Sequence, residues 1–296
     1  MPFHEQLLQY LVSGLTNGAI YALLAVGFVV IYNVTDILNF AQGENAMLGA
    51  LLMITLHGQL GWPLIPAFLC AVALVALLGG AIYRLILWPA RHAPPLNALI
   101  LTLGVSIVIK GLGLVYWGSD PYALTPFSSG QPVQILSAVV PRQSLWVMGT
   151  MTVCVLGLYL FFQHTGLGRM VRACAVNRVA APLMGIHLGA MATIAFALGS
   201  ALGAVGGAVV APLTLATYAM GSMLGLKGIV AALMGGLTSA PRALVGGLLL
   251  GVLESLAAGL ISSGAKNAIA FAILVLILFL RPGGLARIRL EAHSGL

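Results

Sequence analysis

The chain has 296 residues, of which 60% are hydrophobic and only 6% charged, with a mean hydropathy of +1.08. A soluble domain carries about a quarter charged residues, so a water-soluble enzyme or binding module is excluded and a membrane protein is implied. The net charge of +7 does not indicate a nucleic-acid partner, because its Lys and Arg sit in short loops between apolar runs rather than on one solvated face.

The apolar runs last roughly 16 to 25 residues, the length a helix needs to cross about 30 Å of hydrocarbon. Strict alternation of the kind a membrane β-barrel requires is absent from the sequence. In chain order the predicted spans are 9–32, 37–57, 63–83, 96–117, 143–163, 190–213, 222–239, 243–262 and 266–281. The expected fold class is thus an all-α integral membrane protein, a polytopic bundle of about 8–10 transmembrane helices with nine as the working count. The stretch from Met1 to Gln9 holds no Lys or Arg, so no cleaved signal peptide is expected and the first run stays as a span.

Three segments are basic: the loop with Arg84, Arg91 and His92, the loop with Arg169, Arg172 and Arg178, and the tail with Arg281, Arg287 and Arg289. Short basic loops stay cytoplasmic. Nine crossings place all three there, with Arg242 in a cytoplasmic turn, the N-terminus outside and the C-terminus inside. The long outer loop, 118–143, contains Pro121, Pro126, Pro132 and Pro141 and reads as irregular surface structure.

Within the apolar frame a few polar residues stand out. The second span opens on Asn39, Gln42, Glu44 and Asn45, with Gly43 among them. Such groups are costly in a bilayer and face protein or water. Two readings stay open for them: a gate or lining of the translocation path, or groups that satisfy the backbone at a broken helix. Asp36 with Thr35 reads as the N-cap of this span. Glu254, alone in its segment, fits either a buried partner or a path residue. Lys110 lies well inside its span and is expected to pair with a carboxylate, whereas Lys227 reads as an interfacial anchor. Glycines at Gly14/Gly18, Gly199/Gly203/Gly207 and Gly247/Gly251 have the small-xxx-small spacing of helix faces that touch other helices.

Catalytic signals are weak. The six acidic residues form no metal-ligand spacing, so no catalytic or metal site is expected, and Cys70, Cys154 and Cys174 read as packing residues. The run Gly259 to Lys266 misses the phosphate-loop pattern, so any ATP hydrolysis must reside in another chain. Between His164 and His187, Arg169 and Arg172 lie one turn apart, and Ala173, Val176, Ala180 and Leu183 recur at helical spacing. This predicts a short amphipathic helix, ended or kinked at Pro182, that lies on lipid or docks in a partner's groove.

Four ordered stretches carry a resemblance: Gly18-Ala19-Ile20-Tyr21-Ala22-Leu23; Ile37 to Glu44; Arg169 to Ala173 with Ala180 to Ile186; and Lys227 to Pro241 followed by Gly246-Gly247-Leu248. Over nearly its whole length the chain resembles the branched-chain amino acid ABC permeases, specifically the LivH-type subunit. The resemblance implies a single permease domain, 1–296, of a bacterial inner-membrane importer. Its implied partners are a second homologous permease, two cytoplasmic ATPase subunits that bind ATP and Mg, and a periplasmic substrate-binding protein. The chain itself would need no cofactor, and its remaining partner is membrane lipid.

The resemblance also implies that the loop 164–189 couples to the ATPases. Importer loops of the form Glu-Ala-Ala-xxx-Gly dock there, and Ala180, Ala181 and Gly185 fall on that pattern. Val179 stands where the Glu would be, which leaves Arg169, Arg172 and Arg178 as candidate polar contacts. Breaks at Gly43 and at Gly235-Gly236 are expected to form opposing half-spans. The competing expectation is an ion-coupled secondary transporter of a small polar solute working through Glu44, Glu254 or Lys110.

Overall fold

A computed structural model of the chain describes residues 3–280 except 129, 136, 137 and 263. Among the described residues there are ten α-helices: α1 (Phe3–Thr35), α2 (Gln42–Met53), α3 (Leu64–Ile82), α4 (Pro95–Trp117), α5 (Arg142–His164), α6 (Gly166–Val176), α7 (Leu188–Val210), α8 (Met220–Gly235), α9 (Ala240–Leu260) and α10 (Ala265–Leu280). Helices α2 and α3 each run on into a short π-helical turn, Ile54–Gln59 and Tyr83–Leu87. The basic tail with Arg281, Arg287 and Arg289 lies outside the described residues.

Every predicted span coincides with a helix, and the fold is a helical membrane bundle as expected. By length and apolarity, however, six helices can cross a membrane: α1, α3, α4, α5, α7 and α9. Helices α8 and α10 have 16 residues each, about 24 Å of rise. Helix α2 has only 12 before its π turn, so nine full crossings are not established by length.

Helix α1 is the axis of the bundle. Its apolar window is 89% buried, against 6% for α5, which lies at the periphery. Glycine explains how closely α1 is approached. A Cβ on Gly14 would lie 2.7 Å from the Cα of Val252, and one on Gly18 would lie 2.8 Å from that of Leu248, so α9 packs backbone to backbone on α1. The Gly199, Gly203 and Gly207 face of α7 meets Ile31 and Gly27 of α1 and Gln42, Asn45 and Ala46 of α2 in the same way. Gly247 and Gly251 of α9 meet Ala22, Gly18 and Gly14 of α1, so all three predicted small-residue faces touch other helices.

Contacts at the two ends of the bundle separate the loops. At one end Asn33 donates to the carbonyl of Thr238, Arg178 donates to that of Thr35, and Trp88 packs on Gly189 with the guanidinium of Arg91 4.3 Å from its ring centre. This end collects the predicted basic loops. At the other end the outer loop is more ordered than expected: β1 (Val133–Ile135) and β2 (Ala138–Val140) form an antiparallel hairpin that the Gln9 side chain grips at Val139 through two hydrogen bonds of 2.9 and 3.0 Å.

Candidate functional site

Helix α1 ends one residue before Asp36, whose φ of +56° is a left-handed conformation uncommon for a residue other than glycine. Asp36 is therefore not the N-cap of the second span. It closes α1 and lies 3.6 Å from Arg178, while Thr35 accepts from the Ile37 amide and donates to the Ile31 carbonyl. The chain then re-enters the bundle without helix as far as Ala41, its polar backbone partly met by side chains. Thr102 of α4 donates to the Leu38 carbonyl, and the Asn39 Oδ1 accepts from the Ala41 amide. Irregular backbone of this kind survives at membrane depth only where protein supplies such partners.

The polar run that follows divides into two groups. Gln42 and Asn45 face α7: Gln42 Nε2 donates to the Gly199 carbonyl at 2.6 Å, and Asn45 Nδ2 donates to Ser200 Oγ at 2.9 Å. These two hold the start of α2 against α7, while Asn39 bonds only locally, and all three are buried. Glu44 points elsewhere. Its Oε1 accepts from Ser106 Oγ of α4 and from Ser222 Oγ of α8, each at 3.2 Å, while Oε2 is buried without a hydrogen-bond partner. Lys110 Nζ donates to Ser222 Oγ at 3.3 Å, so it meets the carboxylate through a hydroxyl rather than directly. The first turns of α2 and α8 touch here, Gly43 against Gly221 and Gly225. Gly43 is helical, so the break precedes it; the other break is at Gly236, where φ is +83°.

Glu254 of α9 makes a different arrangement, with Tyr21 of α1 and Lys227 of α8. Its Oε2 accepts from Lys227 Nζ at 3.0 Å and from the Tyr21 hydroxyl at 2.8 Å, and Lys227 also reaches Tyr21 at 3.2 Å. Lys227 is thus buried in an ion pair and is not an interfacial anchor, because α8 places it inside the bundle rather than at the headgroups. Sequence reading missed Tyr21, Ser106 and Ser222. The opposite charges of Lys227 and Glu254 in two uncharged stretches, and the i, i+4 spacing of Ser106 and Lys110, were the available signals.

The loop 164–189 folds as two pieces instead of one helix. Thr165 caps α6 by accepting from the Gly168 amide at 2.9 Å, and Gly168, Val171 and Cys174 form its buried face. The helix ends at Asn177, not Pro182: the extended backbone of Asn177 frees its side-chain oxygen to accept from the amides of Val179 and Ala180. A single 3-10 turn, Ala181–Met184, follows, with Pro182 in its tolerated first turn and Gly185 closing it at φ +78°. Ala181 is buried, as is Cys174, whose thiol is pushed up by burial against a smaller opposing effect of Arg178. Arg172 donates to Gln163 and Arg178 to Thr35, so both tie the loop to its own bundle, while Arg169 is exposed. Four apolar side chains of the loop are also bare: Val176 at 80%, Val179 at 83%, Leu183 at 86% and Met184 at 81%.

Residues 10–280 match the family model described as branched-chain amino acid transport system, permease component. The chain belongs to this permease family. The high-affinity branched-chain amino acid transport system permease protein LivH of Escherichia coli K12 is 32% identical over 94% of both chains. The corresponding protein BraD of Pseudomonas aeruginosa is 32% identical over 96% of this chain and 97% of its own. The ribose import permease protein RbsC of Escherichia coli K12 is more distant, 27% identical over 81% of this chain and 75% of its own. Among solved structures, a chain of PsaBC from Streptococcus pneumoniae in complex with Fab superposes with a TM-score of 0.50 at 14% identity, over 95% of each chain. That likeness supports the fold of this permease alone, whereas the family assignment rests on sequence.

Proposed function

We propose that the chain is the membrane-spanning half of an ATP-driven importer of branched-chain amino acids in a bacterial inner membrane. It works with a second homologous permease, two cytoplasmic ATPases that bind ATP and Mg, and a periplasmic binding protein. The basic end of the bundle lies in the cytoplasm, by the retention of Lys and Arg in short loops on that side. The terminus of α1 near Gln9 and the β hairpin then lie outside.

The observation that carries this reading is the exposed apolar ridge of Val176, Val179, Leu183 and Met184 at the basic end. Four large apolar side chains this bare, on an element fastened to the bundle through Cys174, Ala181 and Arg178, form a docking surface for another protein. The missing carboxylate at Val179 fits the same picture: contact with the ATPase is made by apolar packing of the turn, with Arg169 at its edge. Two of the candidate arginines, Arg172 and Arg178, hold the turn in place.

The test is uptake of L-leucine into proteoliposomes holding the chain with its ATPases, second permease and binding protein. Uptake should require ATP, and the paired changes Leu183→Glu and Met184→Glu should abolish it while the chain remains in the membrane and its thermal midpoint stays put. Uptake by this chain alone under an ion gradient would replace this reading with ion-coupled secondary transport.

A further inference from the structure

The two Lys and Glu pairs of this chain are built differently. Lys227 and Glu254 touch directly and are both buried, as befits a pair that holds helices together. Lys110 and Glu44 are kept apart by the Ser222 hydroxyl, which accepts from the ammonium and donates to the carboxylate. Only Glu44 of these three is sealed, at 1% exposure; Lys110 is half-buried and Ser222 is exposed.

That exposure occurs where the surface is otherwise apolar. Lys110 lies seven positions inside the end of α4 at Trp117, about 10 Å of rise, and Leu103, Ile107, Val108 and Leu112 on the same helix are exposed. An ammonium and a hydroxyl open to hydrocarbon at such depth are expensive, so this part of the surface meets water or protein rather than lipid tails. A second feature points to a ligand: the Glu44 Oε2 is buried with no hydrogen bond, as is the Glu254 Oε1, but only the Glu44 acceptor lies behind an exposed hydroxyl and a half-buried ammonium, those of Ser222 and Lys110.

We infer that Lys110, Ser222, Ser106 and Glu44 form a recognition site for a zwitterion on the wall of the translocation path, with the ligand's ammonium at Glu44 and its carboxylate at Lys110. The inference rests on the importer reading and adds to it the chemistry that the permease itself selects. Opposite charges two hydrogen bonds apart suit a ligand that carries its ammonium and carboxylate on one carbon. Such a ligand satisfies both ends at once, with Ser106 and Ser222 turning their hydroxyls toward it. A purely cationic or purely anionic solute leaves one charge of the site without a partner, which costs far more than an apolar mismatch. In the conformation described here the first turn of α8 closes the Glu44 side, since a Cβ on Gly221 would lie 2.9 Å from the Glu44 carboxyl carbon. The ammonium gains access when that turn moves.

The test uses Met223→Cys, beside Ser222 and itself exposed, in a chain whose Cys70, Cys154 and Cys174 are replaced by Ala, within the complete transporter in proteoliposomes. A membrane-impermeant sulfonatoethyl methanethiosulfonate should label it at least about tenfold faster than Val153→Cys on the peripheral α5, a rate ratio large enough to separate a wet from a lipid-facing position. L-leucine should slow that labelling, whereas leucinamide, which lacks the anion, and 4-methylpentanoate, which lacks the cation, should not. Adding Glu44→Gln or Lys110→Gln should leave labelling fast and remove the protection by leucine.

Equal labelling at positions 223 and 153 would overturn the inference, as would equal protection by all three probes or protection that survives Lys110→Gln. Failure of protection in a transporter that takes up leucine with ATP would sink this site alone. Absence of ATP-driven uptake would sink the importer reading, and leucine-specific protection would still support the site.

Discussion

The buried pair of Lys227 and Glu254 offers the sharpest energetic test. Replacing Glu254 by Leu removes two hydrogen bonds, from Lys227 and from Tyr21, and leaves an ammonium inside the bundle with its carboxylate gone. Breaking one side of a buried pair costs about 3–5 kcal/mol. Removing both charges with Lys227→Met and Glu254→Leu should cost less than the single change, since the desolvation cost of the pair disappears along with its attraction and about 1–3 kcal/mol remains for the buried Tyr21 hydroxyl that loses both partners. Tyr21→Phe loses two hydrogen bonds to charged groups, the one donated to Glu254 and the one accepted from Lys227, and at about 1.5–3 kcal/mol each should cost about 3–6 kcal/mol. The measurement is a double-mutant cycle on thermal unfolding in nanodiscs, followed by tryptophan fluorescence. At roughly 2–4 °C per kcal/mol the single change should lower the midpoint by about 10 °C and the double change by less. A double variant that loses as much as the two singles combined would refute the pairing. A stable double variant that no longer transports would instead return Glu254 to the path.

Other expectations follow from packing and access. Gly251→Ala would push a Cβ into the backbone of Gly14 and Gly18 and should cost about 1–3 kcal/mol, while Gly149→Ala, with open space around it, should gain up to about 1 kcal/mol from helix propensity; unfolding midpoints of the two variants give the comparison. Glu44→Gln keeps an acceptor for Ser106 and Ser222, so stability should change by less than about 1 kcal/mol while ATP-driven uptake falls; unchanged uptake would leave Glu44 only as a contact that ties α2 to α4 and α8. Because burial raises the Cys174 thiol, it holds less thiolate at pH 8 than an exposed cysteine, and a water-soluble maleimide should label it slowly until the chain is unfolded.

Periodicity and length located all of the apolar helices, because a membrane span needs a long run and leaves a long signal. The glycine faces were legible for a related reason: Gly14, Gly18, Gly199 and Gly203 mark places where only a hydrogen fits, and spacing by four reveals them. Boundaries set by a single side chain were harder. Nothing in the pattern around Asn177 says that its amide oxygen will stop α6 five residues before Pro182, and a left-handed Asp36 at the end of α1 looks in sequence like an N-cap of the next helix. Side-chain partners were least legible. Lys227 reads as reaching for the headgroups because it lies near the outer end of its predicted span; its carboxylate lies 27 positions away, and Tyr21, which completes the cluster, lies 206 positions away. Such pairings depend on how helices are arranged, which hydropathy does not encode.

The central position of α1 also bears on how the chain is made. Tyr21 and Glu254 are 233 residues apart, and α1 packs most extensively on α9. At roughly 5–20 residues per second, a ribosome finishes α9 on the order of 10–50 seconds after α1. Throughout that interval α1 sits in the membrane with its notches at Gly14 and Gly18 unfilled and the Tyr21 hydroxyl without its carboxylate. The first helix to be inserted is therefore among the last to be completed. A chain cut short before Ala240 would present an unfinished α1 to the quality-control machinery of the membrane, whatever the state of the helices in between.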